Sequence, residues 1–365
     1  MAASDMGPGP TYEGIGVRSG LVMTVRGAIP VEDLGVTLTH DHVFFDSGAN
    51  GPEPEDPVAR EFFRCPLTID ILGDVRALPQ SNRDNQFHDD LELAVAEVGK
   101  YRQQGGVSIL ECSTIGIGRN PVGLRTVSER TGVNIVMAAG YYSEVAHPAH
   151  VKGMSADDIA DEVVRDIVEG VPGSGLRAGI IGEIGIDIDF TPEEEKNLRG
   201  ACRASARTQV PLSIHSLGVS GSDTRRRIMD IVEEEGADLG NTIMDHMTLR
   251  PIDFDQHLEI ARRGAFLGYD TISSDFNWGR RGSGLCDWEI AECIRRLVDA
   301  GFVDHVVLAQ DVSMKNMLTA YGGGGYGYIL KWFVPLLRES GVGDEHIRTM
   351  LVDNPRRLYS PTTTP

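Results

Sequence analysis

Four of the ten histidines lie within or at the ends of short apolar segments that are typical of β-strands. They are His40 and His42 in the segment LTHDH, His215 in LSIHS and His246 in IMDHM. Because side chains two residues apart on a strand share a face, His40 and His42 are expected to face the same interior. Any one of these histidines alone is more simply explained as a packed core or surface residue. Four inward imidazoles need polar partners, and bound metal ions supply them.

Two carboxylates complete this set of candidate ligands. Glu183 lies inside the otherwise apolar segment IIGEIGI, and Asp311 ends the segment VVLAQD. A buried carboxylate costs free energy unless it is paired or bound to a metal. With the four histidines, these side chains supply nitrogen and oxygen ligands for two divalent ions, and Glu183 is placed to bridge them. Such ligands suit zinc first, with manganese, iron or cobalt as alternatives.

This ligand set predicts a hydrolytic chemistry. Two divalent ions about 3.5–4 Å apart hold a bridging hydroxide at neutral pH and polarise the scissile oxygen. Asp311 is placed to bind one ion and to orient the nucleophile or accept its proton. The sequence has neither a Gly-x-Ser-x-Gly motif nor a paired cysteine–histidine signature that would predict a protein nucleophile.

The other acids and histidines near these segments are expected to have supporting roles. Asp41 points opposite to its histidine neighbours and is predicted to be structural. Asp187, Asp189 and Asp245 are predicted to be solvated or to orient the ligands. The histidines predicted to be solvated or structural are His88, His147, His150, His257, His305 and His346.

Eight apolar segments recur along the chain, and amphipathic helical patterns lie between them. Most of the segments are nearly continuous in apolar residues, as expected of parallel strands buried on both faces. The alternation predicts an α/β protein, and the count of eight favours closure into a (β/α)₈ TIM barrel. The predicted strands cover residues 35–43, 107–114, 134–140, 178–186, 210–216, 241–247, 265–271 and 305–312.

Three long connections follow predicted strands, at residues 44–87, 271–286 and 312–328. In a barrel they lie at the C-terminal face of the strands, where active sites of this fold are built. Trp278, in the second connection, is predicted to bind substrate as part of an apolar pocket. The alternative is that the aromatic side chains of these loops pack together as a small separate hydrophobic core, and the sequence supports both interpretations equally.

The composition limits which binding partners and which cellular compartment are expected for the protein. The 365 residues suit one barrel domain over residues 1–365, and 41% of them are hydrophobic. The net charge of −20, without a basic stripe, argues against nucleic acid and anionic membrane surfaces as partners. The five cysteines include no CxxC pair and are expected to be reduced thiols. Since neither a signal peptide nor a membrane-spanning apolar run is recognisable, we expect a cytoplasmic protein.

Taken in order, the motifs resemble those of the phosphotriesterase family of the amidohydrolase superfamily. The resemblance is greatest to its phosphotriesterase-related and resiniferatoxin-binding-like branch, and it covers nearly the whole chain. The motifs that carry it are GVTLTHDHV, IGIGRNP, AAGYY, IIGEIG, PLSIH, MDHM, LAQD and DNPRRL.

The resemblance implies a division of the ligands between two metals. The more buried metal would take His40, His42 and Asp311, and the more exposed metal would take His215 and His246. At the bridging position the best-known members of the family carry a carbamylated lysine, whereas this sequence has Glu183. A glutamate brings the same negative charge without carbon dioxide chemistry, so a bridged centre is still expected.

The resemblance also implies further roles. Tyr141 and Tyr142 match a region that flanks the site in lactonase-like relatives and are predicted to bind substrate. Arg119 matches a position expected to be structural, and family habit suggests a homodimer.

The leading functional hypothesis is hydrolysis of a small carboxylic ester, lactone or amide, with phosphotriester hydrolysis as a side activity. The alternative from another class is a ligand-binding barrel whose metals are structural or vestigial, because a barrel fold alone does not decide function. A deaminase of the same superfamily is a weaker third hypothesis, since it would usually use one metal and would give Glu183 no bridging role.

Overall fold

The computed structural model describes residues 20–48, 51, 53–216, 222–249, 252–273 and 284–360. Eight of its strands run parallel in one sheet, and their spatial order follows the chain. Two antiparallel pairs, β1 with β2 and β4 with β5, lie outside that sheet. The strands are β1 (Leu21–Thr24), β2 (Gly27–Pro30), β3 (Thr37–Asp41), β4 (Phe45–Asp46), β5 (Phe87–His88), β6 (Ser108–Glu111), β7 (Asn134–Ala139), β8 (Ile180–Ile186), β9 (Leu212–Ser216), β10 (Thr242–Met244), β11 (Phe266–Tyr269) and β12 (Val306–Leu308).

The first and last strands of the sheet, β3 and β12, meet and close the barrel. The hydroxyl of Thr39 donates a hydrogen bond to the carbonyl oxygen of Leu308 over 3.3 Å. Just beyond the strands, the N–H of Asp311 donates to the carbonyl oxygen of His40 over 3.1 Å. The predicted (β/α)₈ TIM barrel is therefore confirmed, and the closing seam carries two of the predicted site residues.

Helices surround the barrel, and several begin where the sequence places a capping side chain. Asp90 caps α3 and Asp56 caps α1 through their carboxylates, while Ser155 and Thr191 form capping boxes at α5 and α6. The helices are α1 (Pro57–Arg64), α2 (Leu72–Ala77), α3 (Leu91–Gln103), α4 (Pro121–Thr131), α5 (Ala156–Val168), α6 (Pro192–Thr208), α7 (Ser222–Glu234), α8 (Phe254–Arg262), α9 (Asp287–Asp299), α10 (Val334–Glu339), α11 (Asp344–Arg348) and α12 (Asn354–Leu358).

The N-terminal end of the barrel is sealed by apolar packing. One buried cluster joins strand residues such as Ile180 and Ile243 to Val22 of the β1–β2 hairpin and to Tyr359 near the end of the chain. The Tyr359 hydroxyl donates to the carbonyl oxygen of Gly179, which directly precedes β8. The predicted site residues lie toward the opposite, C-terminal end of the strands.

The strands are shorter than the patterns predict. His246 lies two residues beyond β10 and Asp311 three residues beyond β12, and His42 directly follows β3. His246 and Asp311 adopt positive φ angles of 60° and 49°, which end the extended conformation. Periodicity cannot reveal such turns, because the residues on both sides of each turn are buried, as strand residues are.

The predicted connection at residues 44–87 is more structured than expected, since it holds β4, α1, α2 and β5. The connection at residues 312–328 is anchored to α3, where the buried Glu97 carboxylate accepts hydrogen bonds from the N–H groups of Thr319 and Ala320. Trp278 lies outside the described residues, so its predicted role stays a prediction. Among the described residues, no helix combines the length and the apolar character needed to cross a membrane.

Candidate metal centre

The six predicted ligands meet at the C-terminal end of the barrel. They come from five separate parts of the chain, and each is at most 7% exposed. Since parallel strands bring their carboxyl ends to one face, the fold gathers residues that lie far apart in the sequence. The six are His40, His42, Glu183, His215, His246 and Asp311.

Glu183 lies at the centre of the group, in the middle of β8. Its Oε2 atom is 3.0 Å from His215 Nδ1, 3.5 Å from His40 Nε2 and 3.7 Å from His246 Nε2. Its Oε1 atom is 3.3 Å from His42 Nε2. One carboxylate thus faces all four imidazoles, which is the position required of a bridging ligand.

Asp311 faces the two histidines of the first strand. Its Oδ1 atom lies 3.2 Å from His42 Nε2 and 3.9 Å from His40 Nε2. The backbone that carries it is fixed from behind, because the N–H of Val312 donates to Asp41 Oδ1 over 3.0 Å. The prediction that Asp41 is structural is consistent with this contact, and its effect is to hold the turn that presents Asp311.

His246 is held in its left-handed conformation by Asp270, a carboxylate that is not among the predicted ligands. Asp270 Oδ2 accepts the backbone N–H of His246 over 2.8 Å, and Asp270 Oδ1 lies 3.0 Å from His246 Nδ1. The buried Arg225 donates to the His246 carbonyl oxygen over 3.4 Å. A strained residue persists where its surroundings fix it from several sides, and these contacts orient His246 Nε2 toward the centre.

The outward nitrogens of His42 and His215 also have partners. His42 Nδ1 lies 3.0 Å from Ser113 Oγ, whose hydroxyl donates to Glu111 Oε1 over 2.6 Å. His215 Nε2 lies 3.1 Å from the hydroxyl of Tyr142, so its Nδ1 faces the cluster. Such outer partners fix which ring nitrogen is free to bind a metal.

The electrostatics of the cluster favour positive charge. Burial alone would lower the pKa of His42, but hydrogen bonds to the Asp311 and Glu183 carboxylates outweigh it and raise this pKa to about 10. The pKa of His246 is likewise raised, against the effect of burial, by Asp270 above all. Burial would raise the pKa of Glu183, yet the surrounding imidazoles, His40 first, hold it well below its usual value. The site therefore attracts protons or other cations.

The donor set fits metal ions. Within the described part of the chain, neither ring nitrogen of the buried His40 has a hydrogen-bond partner of good geometry. His215 Nδ1 and His246 Nε2 lie only 2.6 Å apart, so two acceptor nitrogens need a proton or a shared cation between them. Three groups of ligand atoms close enough for one ion share His40, and two of them consist of predicted ligands only: one adds His42 and Asp311, and the other adds Glu183 and His246. Imidazole nitrogens with carboxylate oxygens suit zinc and related divalent ions.

The two tyrosines predicted to bind substrate differ in position. Tyr142 packs edge-on against the His215 ring, with centroids 4.8 Å apart, and so lies against the cluster. Tyr141 is fully buried, and its hydroxyl lies 3.2 Å from His150 Nε2. Tyr142 is therefore the one of the two that lies against the cluster, and contact of either tyrosine with substrate stays a prediction.

Asp270 is the clearest residue that sequence reasoning missed. It ends the apolar segment FLGYD as Asp311 ends VVLAQD, so the signal that selected Asp311 was present there too. Asp245 was predicted to be either solvated or orienting, and the structure buries it completely. A solvated role for Asp245 is thereby excluded.

The fold and the buried ligand cluster define the protein as a (β/α)₈ barrel with a candidate metal centre at the C-terminal end of its strands. The model of the phosphotriesterase family matches residues 20–359, and the chain belongs to this family. The resemblance inferred from the strand-end motifs is thereby confirmed.

Individual relatives cover almost the whole chain. N-acetyltaurine hydrolase of Danio rerio is 31% identical over 346 residues, which are 93% of this chain and 97% of the relative. The crystal structure of a resiniferatoxin-binding protein from Rhodobacter sphaeroides is 44% identical, with a TM-score of 0.90 over 94% of this chain and 96% of that one. The phosphotriesterase homology protein from Escherichia coli, complexed with phosphate in its active site, is 27% identical, with a TM-score of 0.73 over 90% and 99% of the two chains.

Proposed function

We propose that this protein hydrolyses a small carboxylic amide, ester or lactone with two divalent metal ions, zinc first among them. The observation that carries the proposal is the position of Glu183, whose two oxygens face all four imidazoles at 3.0–3.7 Å. His40, His42 and Asp311 would hold the more buried ion, and His215 and His246 the more exposed one. When bound, the two ions supply Lewis acidity that polarises a carbonyl and activates water at neutral pH.

The chain's own residues orient the reaction. Asp311 and His215 are the most exposed of the six, at 7% each, so they border the space through which a substrate would enter. Asp311 is the only carboxylate of the six placed at that border, and it is the group best placed to receive the proton of the attacking water. Tyr142, beside His215, would contact the bound substrate at the rim.

An amide is the first substrate class to test. N-acetyltaurine hydrolases are named for cleaving an amide, and they match this chain at 31% identity over nearly its full length. A hydroxide and a Lewis acid would also support the hydrolysis of esters and lactones. Phosphotriester cleavage is proposed only as a side activity. The net charge of −20 favours substrates without strong negative charge near the reacting bond.

The test is a substrate panel on zinc-loaded and metal-stripped protein. The panel contains N-acetylated amines, among them N-acetyltaurine, together with simple lactones, carboxylic esters and a phosphotriester. We expect turnover of at least one carboxylic substrate that disappears on stripping and returns with metal. A metal-loaded protein that turns over no member of the panel would refute the proposal.

A second candidate is a ligand-binding barrel in which the metals are structural. It is favoured by one observation, the 44% identity to a protein named for binding resiniferatoxin. A chelator titration separates the two candidates. Loss of thermal stability with no catalytic consequence on any substrate would support the binding barrel, whereas parallel loss of stability and activity supports the hydrolase.

The homodimer and the cytoplasmic location expected from the sequence remain predictions. Sedimentation analysis of the purified protein tests the first, and fractionation of the source cells tests the second.

A further inference from the structure

Asp245 lies directly behind His40, on the side away from the cluster. Its Oδ1 atom is 3.3 Å from His40 Nδ1, while His40 Nε2 faces Glu183 and Asp311 on the other side of the ring. Both side chains are buried, Asp245 completely. Among the described residues Asp245 Oδ1 has no hydrogen-bond partner of good geometry, and the His40 ring lies within 3.3 Å of it.

The surrounding residues hold this carboxylate in place. The Ser213 hydroxyl donates to Asp245 Oδ2 over 2.6 Å, which leaves Oδ1 turned toward His40. Gly268 on the neighbouring strand leaves space for the carboxylates of Asp245 and Asp270. A Cβ atom at this position would lie 3.1 Å from Asp245 Oδ1 and 2.9 Å from Asp270 Oδ2. The absence of a side chain at Gly268 and the hydroxyl of Ser213 therefore both serve the position of these two acids.

His40 would otherwise lack an outer partner. His42 has Ser113, His246 has Asp270 and His215 has Tyr142 on the outward ring nitrogen. For His40 the atoms facing Nδ1 are Asp245 Oδ1 at 3.3 Å and Asp270 Oδ2 at 3.9 Å. Asp245 is the nearer, and Asp270 Oδ2 already accepts the backbone N–H of His246.

We propose that Asp245 is the positioning residue of His40: it accepts the Nδ1 proton and so leaves Nε2 of His40 free to bind metal. A neutral imidazole carries a proton on one of its two ring nitrogens. A carboxylate beside one nitrogen keeps the proton on that nitrogen. The inference rests on the metal centre of the proposed function, and it names the residue that decides which nitrogen of His40 enters that centre.

A third metal ion between His40, Asp245 and Asp270 is a poorer explanation of the same group. Their nearest ligand atoms lie within 4.8 Å of one another, close enough to meet a single ion. However, both Asp270 oxygens already face donors of His246, and the two acids are 0% exposed, with no access for the water ligands that would complete a coordination shell. A proton shared between His40 and Asp245 satisfies the same atoms without further ligands.

The experiment measures zinc affinity by chelator competition and the protonation of ring nitrogens by ¹⁵N-histidine NMR on the zinc-loaded full chain. We expect Asp245→Asn to weaken the tightest zinc site by about 10- to 100-fold, the usual effect of losing an outer partner. The Nδ1–H signal of His40, assigned by its loss in His40→Gln, is expected to shift or vanish in Asp245→Asn. Ser213→Ala, which removes only the hydroxyl holding Asp245, should produce a smaller change in the same direction.

Asp166→Asn is the matched control, because Asp166 is also a buried acid and pairs with Arg119 over 2.7 Å on α5, away from the cluster. It should lower thermal stability and leave zinc affinity and the His40 signal unchanged. If wild-type protein holds two ions and Asp245→Asn binds zinc with unchanged affinity and an unchanged His40 signal, the inference is wrong. If wild-type protein retains no metal at all, the proposed function itself is refuted. The metal content of the wild-type protein therefore distinguishes failure of the proposed function from failure of the inference about Asp245.

Discussion

Two regions of this molecule gather charged side chains, and they treat those charges in opposite ways. On the outer surface of α6 and α7, arginines and glutamates pair with one another and remain partly exposed. At the barrel mouth, carboxylates are buried among imidazoles, and no arginine or lysine pairs with them in the part of the chain that the structure describes. The surface group consists of Arg199, Arg203 and Arg227 with Glu195, Glu234 and Glu235.

The two regions differ in whether their charges are already balanced by neighbouring side chains. In the surface network every acid already meets a guanidinium, for example Arg203 Nε with Glu235 Oε2 at 2.7 Å, so the network is complete as it stands. Exposed pairs of this kind are each worth about 0–1 kcal/mol. The buried cluster is completed only by added positive charge, which at neutral pH means protons or metal ions.

The same substitution in both regions gives the largest contrast. Glu183→Gln removes the charge that faces four imidazoles, so we expect loss of at least one bound metal and a fall in kcat/KM of more than about 100-fold, beyond the effect of losing an outer partner. Glu235→Gln is the matched variant on the surface, and it should lower the free energy of unfolding by only about 1 kcal/mol. Elemental analysis, steady-state kinetics and urea unfolding measure the three quantities.

Two outcomes would contradict the contrast between the buried cluster and the helix surface. Glu183→Gln that keeps two metals per chain would contradict the bridging position of Glu183. Loss of metal from Glu235→Gln would mean that the helix surface and the centre are coupled, which the described contacts do not predict.

Metal removal should destabilise the whole fold. An ion that binds only the folded chain stabilises it by about 2.7 kcal/mol at a free concentration of 100 times Kd. Stripping the protein with a chelator is therefore expected to lower Tm, and adding zinc back should restore it. High salt serves as the control: it screens the exposed surface pairs and leaves the stabilisation by a buried ion nearly unchanged. Equal Tm values for stripped and zinc-loaded protein would argue against a metal centre.

His257 offers a second contrast with the cluster, because no carboxylate of the described residues pairs with this buried imidazole. Burial, followed by the nearby Arg225 and Arg296, lowers its pKa from 6.5 to about 3, whereas the carboxylates of the cluster raise the pKa of His42. Between these values the folded protein binds fewer protons at His257 than the unfolded chain does. The stability contributed by the neutral ring is therefore complete above pH 6.5 and is lost progressively as the pH falls toward 3.

The expected loss from His257 is about 2 kcal/mol at pH 5, since each pH unit below the unfolded pKa is worth about 1.4 kcal/mol. His257→Gln should remove this part of the slope between pH 7 and pH 5 in urea unfolding. The glutamine is expected to keep a hydrogen bond to the Tyr269 hydroxyl, which lies 2.8 Å from His257 Nδ1. If the variant and the wild-type protein lose stability equally over this range, the buried ring does not titrate as described.

The sequence was enough to predict the barrel and the six residues of the cluster, because each of the six lies within or just after an apolar strand. Asp270 was missed although it carries the same signal as Asp311, an acid that ends an apolar segment. The pairing of Asp245 with His40 could not be predicted, because it depends on closure of the barrel and on the turn that begins after Met244. The same holds for the positive φ of His246, which neighbouring residue types do not encode.

We propose a glutamate-bridged pair of metals, and an anomalous difference map from crystals of zinc-loaded protein is the decisive test of that proposal. We predict two peaks at the C-terminal end of the barrel, with Glu183 between them. One should lie among His40, His42 and Asp311, and the other should lie against His215 and His246. A single peak, or no peak within reach of Glu183, would contradict the account.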